Sequence, residues 1–134
     1  MDRDRWAEMV DRAFPNAQEE TMTAPIGFLT LGPEVNITDV NENLLHFVAV
    51  LDKIHQQLFT HQLVITSGKD GQHAPGSLHA AGKAVDVRTD DKDDESNLVF
   101  LTVLAYAARR MPVTYFDERN LPGAPHLHIE WHGA

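Results

Sequence analysis

The residues of this chain that could do chemistry fall into two separated stretches. The first runs Ser77-Leu78-His79-Ala80-Ala81-Gly82-Lys83-Ala84-Val85-Asp86, and the second is His126-Leu127-His128. Together they offer imidazoles and a carboxylate able to share one metal ion, with one imidazole to spare. Three protein ligands leave the fourth tetrahedral position of a zinc ion open, which is the catalytic form of such a site. A closed structural zinc site usually shows cysteine, and this chain has none. The absence of cysteine also excludes a disulfide framework.

Simple elements must position these groups. His126-Leu127-His128-Ile129-Glu130-Trp131 alternates polar and apolar residues, the mark of a half-buried strand. His126, His128 and Glu130 then share one face, and Leu127, Ile129 and Trp131 point into a core. Two residues apart on a strand means roughly 6–7 Å at the backbone, close enough for both imidazoles to reach one small site. Ala84-Val85-Asp86-Val87-Arg88 alternates in the same way, with Asp86 opposite Val85 and Val87. His79 lies in or near a loop loosened by Gly76 and Gly82.

A single histidine on a strand is more often a surface or satisfied core residue, and the chain has 8 histidines. Taken alone, His-x-His is a weak signal. The specific signal is the combination of Ser-x-His-x-x-Gly-x-Ala-x-Asp with a later His-x-His in one small domain.

In these residues the chain resembles the zinc peptidases of the D-Ala-D-Ala carboxypeptidase group, which includes phage L-alanyl-D-glutamate endolysins. It also resembles the zinc domain of hedgehog signalling proteins, which shares that fold. Ser77, His79, Gly82, Ala84, Asp86, His126 and His128 carry the likeness, with Ser67-Gly68 just upstream, over roughly residues 36–132. The resemblance implies that His79, Asp86 and His128 bind one catalytic zinc and that His126 lines the site. It implies hydrolysis of an amide bond in a peptidoglycan stem peptide, as carboxypeptidase or endopeptidase. The hedgehog relatives imply an alternative, a non-catalytic zinc-stabilised interaction module.

The resemblance also directs attention to two loops. Residues 67–76 are rich in turn formers and occupy the place where the family holds substrate. The carboxypeptidases usually have arginine shortly after Ser-Gly; this chain has Lys69 and Asp70, so Lys69, His73 and Ser77 are the substrate-binding candidates. Some relatives place a glutamate general base three residues before the last zinc ligand, where this chain has Pro125. Hedgehog-like relatives place a glutamate further back. Glu118, with Asp117 as rival, is therefore the expected base, and His126 the expected acid or oxyanion partner.

The frame is one domain of 134 residues and 15.0 kDa, long enough for a core. Residues 1–35 are expected as an N-terminal helix and irregular extension, and residues 36–134 as the core. The fold expected is α+β, an antiparallel sheet of about four strands with helices packed on one side. Helices are expected over residues 3–13 and roughly 40–59, the second capped by Asp39 with Glu42 as its partner. A third is expected after Ser96, with Leu98 among its buried residues. His46, His55 and His61 are expected at the surface or its boundary. Asp90-Asp91-Lys92-Asp93-Asp94-Glu95 is expected as a solvated loop. A calcium site there is the sharper alternative, prompted by the oxygen ligands and by the calcium that hedgehog domains hold.

The net charge of -9 argues against nucleic acid as a partner. The N-terminus has no apolar signal-peptide core, and no run approaches a membrane span. The expectation is a monomer made in a cytoplasm, acting on the cell wall after phage-type release or as part of a phage particle.

Overall fold

A computed structural model describes residues 3–13, 29–69 and 78–133, with the side chains of residues 3, 4, 6 and 13 outside the description. Three helices, α1 (Arg3–Ala13), α2 (Glu42–Phe59) and α3 (Asp94–Ala108), accompany five strands: β1 (Thr30–Leu31), β2 (Val64–Ser67), β3 (Ala84–Arg88), β4 (Val113–Asp117) and β5 (His126–Trp131). The sheet order is β1-β2-β3-β5-β4. β1 runs parallel to β2, and every other neighbouring pair is antiparallel. The fold is thus α+β, with a mixed five-stranded sheet in place of an antiparallel one of about four strands. The added strand is the two-residue β1, which falls in the stretch 27–31 where the residue types suggest a strand.

Period two decides the faces. Val85, Val87, Leu127, Ile129 and Trp131 are buried and join Leu44, Phe47, Val48 and Leu51 of α2 and Phe100, Val103 and Leu104 of α3 in one core. Full burial of one such side chain contributes about 1.5–3 kcal/mol. The alternate positions, Asp86, His126, His128 and Glu130, therefore look away from the helices.

Both internal helix starts differ from expectation. Asn41, not Asp39, caps α2, accepting hydrogen bonds from the backbone N–H groups of Asn43 and Leu44. Asp39 has φ 66° and is spent on the turn before the cap. Asp93, not Ser96, caps α3; its carboxylate accepts from the Ser96 N–H. In each case the side chain that can reach back to the orphan donors of the first turn won the role. In α3, Leu98 is 59% exposed, because the buried stripe runs through Asn97, Phe100, Val103, Leu104 and Ala107.

The carboxylates of the acidic run are exposed, as expected, but the Lys92 side chain within it is buried, and His55 is not a boundary residue. His55 is fully buried. Its Nδ1–H donates to the His61 carbonyl at 2.9 Å, and its Nε2 accepts from Lys92 Nζ at 2.9 Å. Lys92 also donates to the Arg88 carbonyl and to Asp91, and lies over the rings of Phe59 and Phe100. Burial, with the neighbouring Lys92 charge adding to it against the pull of the His61 carbonyl, lowers the His55 pKa to about 4. The carboxylates around Lys92 are used one by one: Asp90 beside Arg88, Asp91 beside Lys92 and Asp93 as a cap. Among the described residues, no metal-holding group forms within this run, so the calcium alternative is not supported.

Candidate metal centre

β3 and β5 pair antiparallel, and their register sets Asp86 opposite His128. One step along β4, Phe116 stands opposite His128 on its other side. The strands thus fix a carboxylate and an imidazole on the helix-free face. The third group, His79, arrives from the turn before β3.

That turn is held by close backbone approach. Gly82 has φ 73°, and a Cβ there would run into the Asp39 carbonyl oxygen. The Gly82 carbonyl accepts from Asn41 N–H at 2.7 Å, Gly82 N–H donates to the His79 carbonyl at 3.0 Å, and Lys83 N–H donates to the Leu78 carbonyl at 2.7 Å. Glycine at 82 meets both demands: the left-handed conformation and the missing side chain. The loop is closed onto the N-terminus of α2, and His79 is left pointing over the sheet.

Three atoms converge. His79 Nε2 lies 3.2 Å from Asp86 Oδ1 and 3.1 Å from His128 Nδ1, and His128 Nδ1 lies 2.9 Å from Asp86 Oδ1. A tetrahedral zinc with bonds of about 2.0–2.1 Å would set its ligands about 3.3 Å apart, close to these edges. The tautomers agree with that use. His79 Nδ1 is 2.9 Å from the Gly68 carbonyl, which can only accept, so Nδ1 carries the proton and Nε2 presents a lone pair. His128 Nε2 is 2.9 Å from Glu130 Oε1, so Nε2 donates outward and Nδ1 presents its lone pair inward. Two lone pairs and a carboxylate oxygen facing one another repel unless a cation lies between them. The donor set therefore fits a divalent metal ion.

Burial pushes the Asp86 pKa up, but the adjoining His128 and His79 rings override it and hold the carboxyl well below the usual range. Burial lowers the His128 pKa, yet Asp86 and Glu130 outweigh it and leave it raised.

A second layer surrounds the triangle. His126 Nδ1–H donates to the Ala124 carbonyl at 2.9 Å, and its Nε2 lies 3.0 Å from Glu118 Oε1. Burial opposes protonation of His126, but the Ala124 carbonyl, Asp86 and Glu118 together raise its pKa. Glu118 Oε1 is also 3.9 Å from His128 Nδ1, outside the ligand triangle and beside it. Asp117 turns away and grips Arg119 through two contacts of 2.8 Å. That grip holds the Asp117 carboxyl below its ordinary pKa. Lys69 is exposed, with its Nζ 4.0 Å from Asp39. Ser77 and His73 lie outside the described residues.

Glu130 and the Gly68 carbonyl received no role in the sequence reading. Glu130 orients His128 and also receives Thr114 and His132. Its position two residues after His128, on the same strand face, was the available signal. The Gly68 carbonyl carried none, because backbone acceptors leave no trace in residue type.

A mixed sheet presenting Asp86 and His128 on its helix-free face, with His79 arriving from the turn before β3, defines an α+β domain with a candidate metal centre. The hedgehog amino-terminal signalling domain matches residues 35–121, more than half of the chain, and the chain belongs to that family. The matched stretch includes His79, Asp86 and Glu118 and ends before His126 and His128. No curated protein and no solved structure matches the chain. No helix among the described residues is long and apolar enough to cross a membrane.

Proposed function

We propose that the protein is a zinc peptidase that hydrolyses an amide bond in peptidoglycan stem peptides. His79 Nε2, His128 Nδ1 and Asp86 Oδ1 would hold the ion. Bound there, zinc supplies Lewis-acid chemistry, polarising a carbonyl and making water acidic enough to ionise near neutral pH.

The observation that carries the reading is the Glu118–His126 pair beside the ligand triangle, 3.0 Å apart and partly exposed. Neither residue is needed to close the triangle. Glu118 would take a proton from the attacking water and pass it to the leaving amine. His126, whose Nε2 lies 3.0 Å from Glu118 Oε1, would donate toward the oxygen on which negative charge develops. Glu130 and the Gly68 carbonyl hold the two ligand imidazoles in the tautomers this arrangement needs. Phe116, half exposed with its ring centroid 5.9 Å from that of His128, gives a substrate backbone an apolar wall.

The second reading is a zinc-stabilised interaction module, favoured by the family match itself. It gives no reason for an acid/base pair beside the triangle. The experiment that separates the two is hydrolysis of purified peptidoglycan by zinc-loaded protein. Cleaved stem peptides support the peptidase, and intact peptides with zinc bound support the module.

A further inference from the structure

Asp86 uses only one of its two carboxylate oxygens in the triangle. The other, Oδ2, lies 3.7 Å from His126 Nε2. His126 Nε2 in turn lies 3.0 Å from Glu118 Oε1. One ligand atom from each of Asp86, Glu118 and His126 falls within 4.8 Å of the other two, so these residues form a second set able to hold a metal ion. His126 shares the arrangement of both ligand histidines: one ring nitrogen donates to a fixed acceptor, here the Ala124 carbonyl, and the other faces inward. Two carboxylates sit in this set, in a chain of net charge -9.

We propose that Asp86, Glu118 and His126 form a second, weaker divalent-cation site that shares Asp86 with the first and silences it when filled. This rests on the peptidase reading above and names its regulation. Carboxylate-bridged pairs of metal ions about 3.5–4 Å apart are an established arrangement in hydrolytic sites, so one aspartate can serve both. The second site is the weaker for two reasons. Its ligands are looser and more open: side-chain exposure is 29% for Glu118 and 22% for His126, against 7% for His79. Its bridging carboxylate also already neutralises the first ion. Filling it would tie up the Glu118 carboxylate and the inward His126 nitrogen, the two groups that acid/base chemistry needs free. Zinc should therefore activate at one equivalent and inhibit in excess.

The test is zinc titration of metal-depleted protein followed by native mass spectrometry, with peptidoglycan hydrolysis measured on the same samples. The expected result is one tight equivalent followed by a second, weaker one. Glu118→Ala and His126→Ala should each stop at one equivalent, and Asp86→Ala should lose both. Hydrolysis in the unaltered protein should rise with the first equivalent and fall at least tenfold with the second. A stoichiometry that stays at one in excess zinc overturns the second site, and hydrolysis at that stoichiometry leaves the peptidase standing. A second equivalent that persists unchanged in both single variants overturns it too. Two equivalents lost as expected, with no hydrolysis at any loading, support the second site and remove the peptidase.

Discussion

His128 stands directly across the β3–β5 ladder from Asp86, and its Nδ1 lies 2.9 Å from Asp86 Oδ1. Each is a strand residue whose outward direction is fixed by apolar neighbours buried on the other face. The packing of Val85, Val87, Leu127 and Ile129 against the helices thereby aims two candidate metal ligands at one point. His79 completes the set only because Gly82 lets the preceding turn close.

Glu130 should matter to metal affinity without touching the metal. Glu130→Gln weakens the acceptor that holds His128 Nε2–H, and such outer partners are worth about 10- to 100-fold in affinity. Competition against a chelator measures this. An unchanged zinc affinity would show that His128 needs no orienting partner.

Gly82→Ala should destabilise the fold as well as the site. The substitution forces an alanine to φ 73° and drives its Cβ into the Asp39 carbonyl. The expected loss is about 1–3 kcal/mol, read as a lower denaturant midpoint. A stability equal to the parent would mean that the turn relaxes freely, contrary to the contacts that pin it.

Much of this arrangement was legible in the sequence. Alternation along 84–88 and 126–131 gave both strands and the faces of Asp86 and His128, because a period of two translates directly into direction. The cap positions were less legible: Asp39, Asn41, Asp93 and Ser96 are all competent caps, and only the three-dimensional path chooses among them. His55 and Lys92 were missed for a related reason. Their burial depends on each other, 37 residues apart, and on Phe59 and Phe100, and no local pattern encodes the meeting of α2 with the Lys92 segment.

That buried pair gives a pH prediction. The His55 pKa is lowered from 6.5 to about 4 in the folded protein, so between these values the unfolded chain binds the proton first. The stability linked to His55 is full above pH 6.5 and is lost as pH falls toward about 4, by about 3 kcal/mol in all. Denaturant unfolding across this window should show the decline. In the double variant His55→Phe with Lys92→Met the decline should be smaller. An equal decline in that variant would assign the acid sensitivity to other groups.

The two loop carboxylates should behave differently. Glu118→Gln should cut hydrolysis by about 10²- to 10⁴-fold with the first zinc retained, as removal of a general base does. Asp117→Asn should leave most activity, because Asp117 is occupied by Arg119. A large loss confined to Asp117→Asn would transfer the role to that residue.

The most direct measurement is mass spectrometry of peptidoglycan fragments after incubation with protein carrying one zinc, beside chelator-treated protein and Glu118→Gln. The prediction is new amino and carboxyl termini at one amide bond of the stem peptide, present only with the zinc-loaded parent. Intact stem peptides in a sample whose zinc is shown to sit on His79, Asp86 and His128 would contradict it.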